Sequence, residues 1–214
     1  ISSGGNYNVV IGDEAGTAIT TGDFNTAIGF EALKTEDAHG YNTAVGYQAL
    51  KTQDAGADAA NTAVGYQAGL DITTGHSNVL MGASAGANIT DGDYNTFMGA
   101  NAGISVTTGA SNTLIGGLAG DALTTPASNT AVGQSALTAD TLGSSTTAVG
   151  AGALQAQNFT TASESYNTAV GTYAGASVTT GQYNTFIGRA SGDAVTDADE
   201  NVAVGYNSLS TNTL

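Results

Sequence analysis

The chain has 214 residues, of which 10% are charged, against about 25% in an ordinary globular protein, and 31 are Gly, roughly double the usual share of about 7%. Eighteen acidic against three basic residues leave a net charge of -15, which repels nucleic acid and anionic membranes and removes both from the expected partners. There is no cysteine, so neither a disulfide framework nor a thiolate metal site is available, and no apolar run approaches the ~20 residues that span a bilayer.

The opening Ile1-Ser2-Ser3-Gly4-Gly5 lacks the basic start and apolar core of a signal peptide, and the numbering is expected to begin inside a longer or processed protein. From there the chain repeats one five-residue stretch, plainest at Asn42-Thr43-Ala44-Val45-Gly46. Its copies close on Gly12, Gly29, Gly46, Gly65, Gly82, Gly99, Gly116, Gly133, Gly150, Gly171, Gly188 and Gly205. The interval is 17 residues, except for 19 between Gly46 and Gly65 and 21 between Gly150 and Gly171. Self-similarity at a short fixed period marks a solenoid, in which each coil buries its apolar side against its neighbours. The expectation is therefore an all-β, parallel β-solenoid of about twelve 17-residue coils, one repeat domain over 1–214 with irregular spacers near 51–60 and 155–166. The end at Thr213-Leu214 falls partway through a coil.

Within each copy the second and fourth positions share one face of a short strand and the third points the other way. The second is always Thr or Val, and the fourth is always Ile, Val or Met, as a coil interior requires. The third is usually Ala, but it is Val10, Leu80, Phe97, Leu114 and Phe186 in five copies. With both faces apolar, these five residues are expected to form a seam with another subunit, making the chain a homo-oligomer.

The Gly column has no exception, which fits a turn with positive φ. The first column is Asn at Asn8, Asn25, Asn42, Asn61, Asn78, Asn95, Asn112, Asn129, Asn167, Asn184 and Asn201, with Thr146 the exception. Stacked Asn side chains are expected to form a ladder, each amide bonding an amide or backbone group one coil along.

Three residues after the Gly comes Ala, or Ser191 and Ser208 in two copies, and the next position is of two kinds. Where it is Gly (Gly16, Gly69, Gly86, Gly103, Gly120, Gly175, Gly192), an aliphatic residue follows three later. Where it is Leu (Leu33, Leu50, Leu137, Leu154, Leu209), that later place is polar: Glu36, Gln53, Asp140, Gln157, Asn212. One aliphatic side chain per coil from either position implies a single core slot filled once. The order of the two kinds also hints at a six-coil super-period. The remainder of each unit is turn, as in Thr20-Thr21-Gly22 and Thr107-Thr108-Gly109.

The unit G-x-x-N-T-A-V-G-x-x-A resembles the head repeat of trimeric autotransporter adhesins, and more closely the NTAxGxxAL…TTG repeats of phage tail-fibre-like proteins. Asn25 to Leu33 and Asn42 to Leu50 carry the likeness best, and it covers essentially the whole chain. It implies a left-handed β-roll assembled as a homotrimeric fibre, on a virion, a cell surface or in an extracellular filament. The 17-residue period is longer than that of the adhesin heads, and no heptad stalk, anchoring barrel or chaperone domain is in the sequence.

Other chemistry is sparse. Gly82-Ala83-Ser84-Ala85-Gly86 matches G-x-S-x-G only as part of the repeat, without the strand-to-helix turn and His partner of a nucleophile elbow. His39 and His76 fall in turns and are read as solvated, and no catalytic residue is expected. Acidic turns at Asp91-Gly92-Asp93 and Asp197-Ala198-Asp199-Glu200 offer oxygens for bridging Ca²⁺, but lack the spacing of a known loop, so they are read as a solvated rim and no cofactor is expected. Asn88-Ile89-Thr90 and Asn158-Phe159-Thr160 are glycosylation triplets of the kind that arise by chance.

Tyr7, Phe24, Tyr41, Tyr94, Tyr166 and Tyr183 precede the Asn column, and Phe30, Tyr47, Tyr66 and Tyr206 follow the Gly column. Such rows cover turns or seams, or else meet a surface such as a cell-surface glycan. The functional expectation is a non-enzymatic fibre or adhesin segment that self-associates as a trimer or filament. The alternative is an ice- or glycan-binding solenoid, set lower because the repeat Thr shares its face with the aliphatic residues taken as core.

Overall fold

A computed structural model describes residues 5–211. Among them there is no helix, and the chain is a parallel β-solenoid of twelve coils. In chain order the strands are β1 (Val9–Ile11), β2 (Thr26–Ile28), β3 (Thr43–Val45), β4 (Thr62–Val64), β5 (Val79–Met81), β6 (Thr96–Met98), β7 (Thr113–Ile115), β8 (Thr130–Val132), β9 (Gly143–Ser144), β10 (Thr147–Val149), β11 (Ser163–Glu164), β12 (Thr168–Val170), β13 (Thr185–Ile187) and β14 (Val202–Val204). All but β9 and β11 form one twelve-stranded sheet in sequence order. Every pair is parallel and in register, so that Thr26 lies beside Thr43 and Ala27 beside Ala44.

The register survives both long spacers. Thr43 still pairs with Thr62, and Thr147 with Thr168, so the extra residues bulge out of the coil without slipping the strands. At the second spacer they add the short pair β9–β11 and bury Phe159. With parallel strands ~4.8 Å apart, twelve coils make a rod ~58 Å long.

The direction in which the strands face is the opposite of that read from the sequence. Every third-column residue from Ala27 to Ala169 is fully buried, whereas the second and fourth columns are half-buried or exposed. Leu80, Phe97, Leu114 and Phe186, expected at a subunit seam, instead fill the interior of their own coils, and Val10 packs against the same core from the first coil. The fourth column, read as the interior, lies outside, from Ile11 through Met81 and Met98 to Val204.

The slot filled once per coil is visible in the packing. A Cβ at Gly69 would lie 3.1 Å from Ile72 Cδ1, and one at Gly86 would lie 2.7 Å from Ile89 Cδ1, because the later aliphatic residue folds back into the space. In the other kind of coil Leu33, Leu50, Leu137 and Leu154 fill it, each with a positive φ near 50° and fully buried. The polar residues three places later, Glu36, Gln53, Asp140 and Gln157, are also fully buried, while Asn212 lies outside the described residues, as do the two chain ends.

The Gly column has φ between 122° and 142°. A Cβ at Gly99 would also lie 2.5 Å from the carbonyl of Gly116 in the next coil, so both conformation and close approach require glycine there.

Candidate functional site

Three features mark the rod: an Asn ladder inside, short ring stacks over the first coils and again at Tyr166 and Tyr183, and an uncharged outer face. The ladder is continuous through the middle of the molecule. Asn78 Oδ1 accepts the backbone N–H of Asn95 at 2.9 Å, and Asn95 Oδ1 that of Asn112 at 3.0 Å. Most of the amide nitrogens also donate to the turn closing their own coil, as Asn61 to the Gly75 carbonyl at 2.7 Å and Asn112 to that of Pro126 at 2.9 Å. Asn8, Asn25, Asn42, Asn129, Asn167, Asn184 and Asn201 belong to the same column, and Thr146 takes its rung by donating its N–H to Asn129 Oδ1. Beyond Thr146 the Asn167 N–H turns to Ser165 Oγ within its own coil. Asn42 Nδ2 is buried without a partner, at the coil whose spacer is two residues longer.

The paired polar residues of the Leu-type coils join this interior network. Asp140 accepts from the Gly143 and Phe159 N–H groups and from Gln157 Nε2, and Gln157 Oε1 accepts from Asn167. Six coils earlier Gln53 donates to Asn42 Oδ1 and Glu36 Oε2 and accepts from Asn61. Burial pushes the Asp140 carboxyl above its ordinary value, against the lowering by Gln157 and the backbone N–H groups of Phe159, Gly143 and Leu142. The sequence carried a signal for this that a reading by column missed: an acid followed one coil later by an amide, twice, where the core has a vacancy to fill.

The acidic turns act as caps. Asp93 and Asp199 accept the backbone N–H of His76 and Gln182, each 17 residues earlier, and Asp91 accepts from the Thr73 and Thr74 hydroxyls. His76 lies 3.3 Å from Asp93 and edge-on to Tyr94, and His39 lies 3.2 Å from Glu36. Both histidines, read as solvated, thus have carboxylate neighbours. Glu36, Asp37, His39 and Asp54 bring one ligand atom each within 4.8 Å of one another, a donor set different from the acidic turns picked out in the sequence. Glu36 within it already accepts the His39 backbone N–H. Glu31, largely covered by its partly exposed lysine partners, takes Lys34 at 2.6 Å, Lys51 at 2.7 Å and Gln48 at 2.7 Å, and Lys34 beside it, foremost among these, holds its pKa down to about 2.

The aromatic rows form stacks. Tyr7, Phe24 and Tyr41 lie 5.0 and 5.2 Å apart between centroids, Phe30, Tyr47 and Tyr66 lie 5.4 and 5.2 Å apart, and Tyr166 and Tyr183 lie 5.3 Å apart, with planes within 20° of parallel. Inside a stack each ring covers its neighbour's face, so the rows offer solvent their edges and hydroxyls more than faces for sugar rings. Tyr94 stands apart, against His76. A shallow depression lined by Gln134, Ser135, Ala151, Gly152, Gln155 and Tyr173 holds neither a carboxylate nor a histidine.

Comparisons with protein-family models, with curated proteins and with solved structures return no match.

Proposed function

We propose that the chain is a non-enzymatic structural segment of a fibre, of the kind found in phage tail fibres, surface adhesins or extracellular filaments, and that it works by stacking coils and associating with itself. The observation that carries this reading is the unbroken in-register stack of twelve strands with Asn side chains bonded from coil to coil. Such a body resists bending and stretching because each coil is held to the next by backbone and side-chain bonds together. The likeness of its repeats to tail-fibre and adhesin-head units supports the same reading, with a location on a virion, at a cell surface or outside the cell. The partners are then further copies, as a trimer or filament, and a surface glycan. Electron microscopy of the native particle, with mass per unit length, tests it. Rods or filaments with several chains in cross-section are expected, and single globular particles would overturn it.

A second reading gains weight from one observation. The repeat Thr column faces outward on a regular uncharged sheet, so the objection that it shares a face with the core does not hold. A flat array of hydroxyl and methyl groups is what an ice-binding surface requires. Thermal hysteresis in a freezing assay would favour that reading, and its absence would discard it.

A further inference from the structure

The outer face of the sheet is built from the second and fourth columns, Thr or Val beside Ile, Val or Met, repeated on twelve rungs in register. Its fourth column is aliphatic on every rung, with Met81 and Met98 38% and 37% exposed near the middle and Ile187 42% exposed toward one end, and the second column beside it adds Thr methyl and hydroxyl groups but no charge. Single exposed aliphatic residues are ordinary on a protein surface, but a continuous stripe along a rod is not.

Charge is segregated from this face. In a chain of net charge -15, no charged residue occupies either outward column. The flanking positions, before the Asn and after the Gly, are also uncharged from Phe24 through Thr172; the charges there are Asp13, Arg189 and Glu200, all near the ends. The acidic groups sit in the turns, as Asp93 and Asp199 do, where they cap neighbouring coils.

We propose that this face is the surface on which a second copy of the chain packs, sheet against sheet. The inference rests on the self-associating reading above and replaces the seam expected from the sequence. A second copy fits this face better than another partner for three reasons. Two acidic rods repel each other through every surface except the one cleared of charge. A partner with the same rung spacing lets side chains interdigitate at each coil, which a partner of different period cannot do over twelve rungs. The area is also sufficient: a stripe ~58 Å long and ~10 Å wide removes roughly 1,100 Å² from the two copies together, just above the ~1,000 Å² of a specific interface. Stacked rings at its edges, such as Tyr47 on Tyr66, add to that area. Met81 and Met98 at the centre supply adaptable side chains suited to a packed interface.

The chain's two methionines both lie on this face, which makes a direct probe. The experiment is peroxide oxidation of the full chain across a concentration series, read by intact mass and peptide mapping, with sedimentation on the same samples. In the associated state Met81 and Met98 should oxidise about tenfold more slowly, or less, than in dilute monomer, because peroxide must wait for the face to open. The double variant Val64→Lys, Ile115→Lys should keep its β-sheet signal, sediment as a monomer and lose the protection. An oligomer whose methionines oxidise as fast as in the monomer would overturn this face as the seam while leaving self-association intact. A chain that stays monomeric at every concentration would overturn both, and thermal hysteresis from that monomer would assign the face to ice.

Discussion

Asn95 Oδ1 accepts the backbone N–H of Asn112 at 3.0 Å while Asn95 Nδ2 donates to the Gly109 carbonyl at 2.9 Å, so one buried side chain ties its own coil shut and holds the next in register. Asn95→Ala strands two buried backbone groups, each costing about 1–3 kcal/mol when unpaired, and is expected to destabilise the rod by about 2–5 kcal/mol. Asn201→Ala, in the last coil and only half-buried, should cost less than about 1 kcal/mol, since water reaches the groups it leaves. Urea denaturation checks the difference, and faster hydrogen exchange at the Asn112 amide checks its origin. Equal midpoints for the two variants would refute the ladder's structural role.

Phe97 and Met98 are neighbours in one strand that face opposite ways, Phe97 fully buried and Met98 exposed. Phe97→Ala opens a cavity beside Gly86 and Gly103 and should cost about 3–5 kcal/mol, with the sedimenting mass unchanged. Met98→Ala should change the stability of the single chain by less than about 0.5 kcal/mol and instead weaken association. Denaturation and sedimentation on both variants separate core from surface, and the reverse pattern would return the seam to the third column.

The period, the parallel stack and the alternation along each strand were legible in the sequence because they follow from spacing alone. The facing of the strands was not, because the fourth column on the outer face is itself aliphatic and so both faces look like core. The deciding signal lay in volume compensation. Val10, Leu80, Phe97, Leu114 and Phe186 all occur in coils with Gly in the split column, at Gly16, Gly86, Gly103, Gly120 and Gly192. A Cβ at Gly120 would lie 2.9 Å from Leu114 Cδ2, and one at Gly16 would lie 3.2 Å from Val10 Cγ2. A large third residue and a Leu compete for one space, and only residues in one interior compete. The acid and amide pairs Glu36–Gln53 and Asp140–Gln157 were hidden for a related reason, since polar side chains in a turn segment look solvated unless the coil closes over them.

Gly99 and Gly117 test which glycines the backbone requires. Gly99 has φ +142°, and a Cβ there would lie 2.5 Å from the Gly116 carbonyl of the next coil; at Gly117 the nearest atom, Ala100 O, would be 4.0 Å away. Gly99→Ala is expected to destabilise by at least about 1–3 kcal/mol through backbone strain, and Gly117→Ala to fall within about 0.5 kcal/mol of the parent. Thermal melts of the two variants decide it, and a neutral Gly99→Ala would mean that the coils can move apart to admit a methyl group.

Acid should weaken the rod through Glu31. Its pKa is held from 4.5 down to about 2, first by Lys34 and then by Lys51 and Gln48, so below pH 4.5 the unfolded chain takes up a proton that the folded chain does not. Stability from this group is complete above pH 4.5 and is lost as the pH falls toward 2. Asp140 acts in the opposite direction: burial raises its pKa above 3.8, the folded chain holds the proton longer, and stability falls as pH rises from 3.8 through the folded value. Glu31→Gln should therefore flatten the acid limb of a stability curve between pH 4.5 and 2 while leaving the decline from Asp140 in place. Lys34 and Lys51 are partly exposed, so high salt should narrow the gap between parent and variant. Urea denaturation across this pH range measures both effects, and parallel curves for parent and variant would show that the Glu31 cluster contributes nothing to folding.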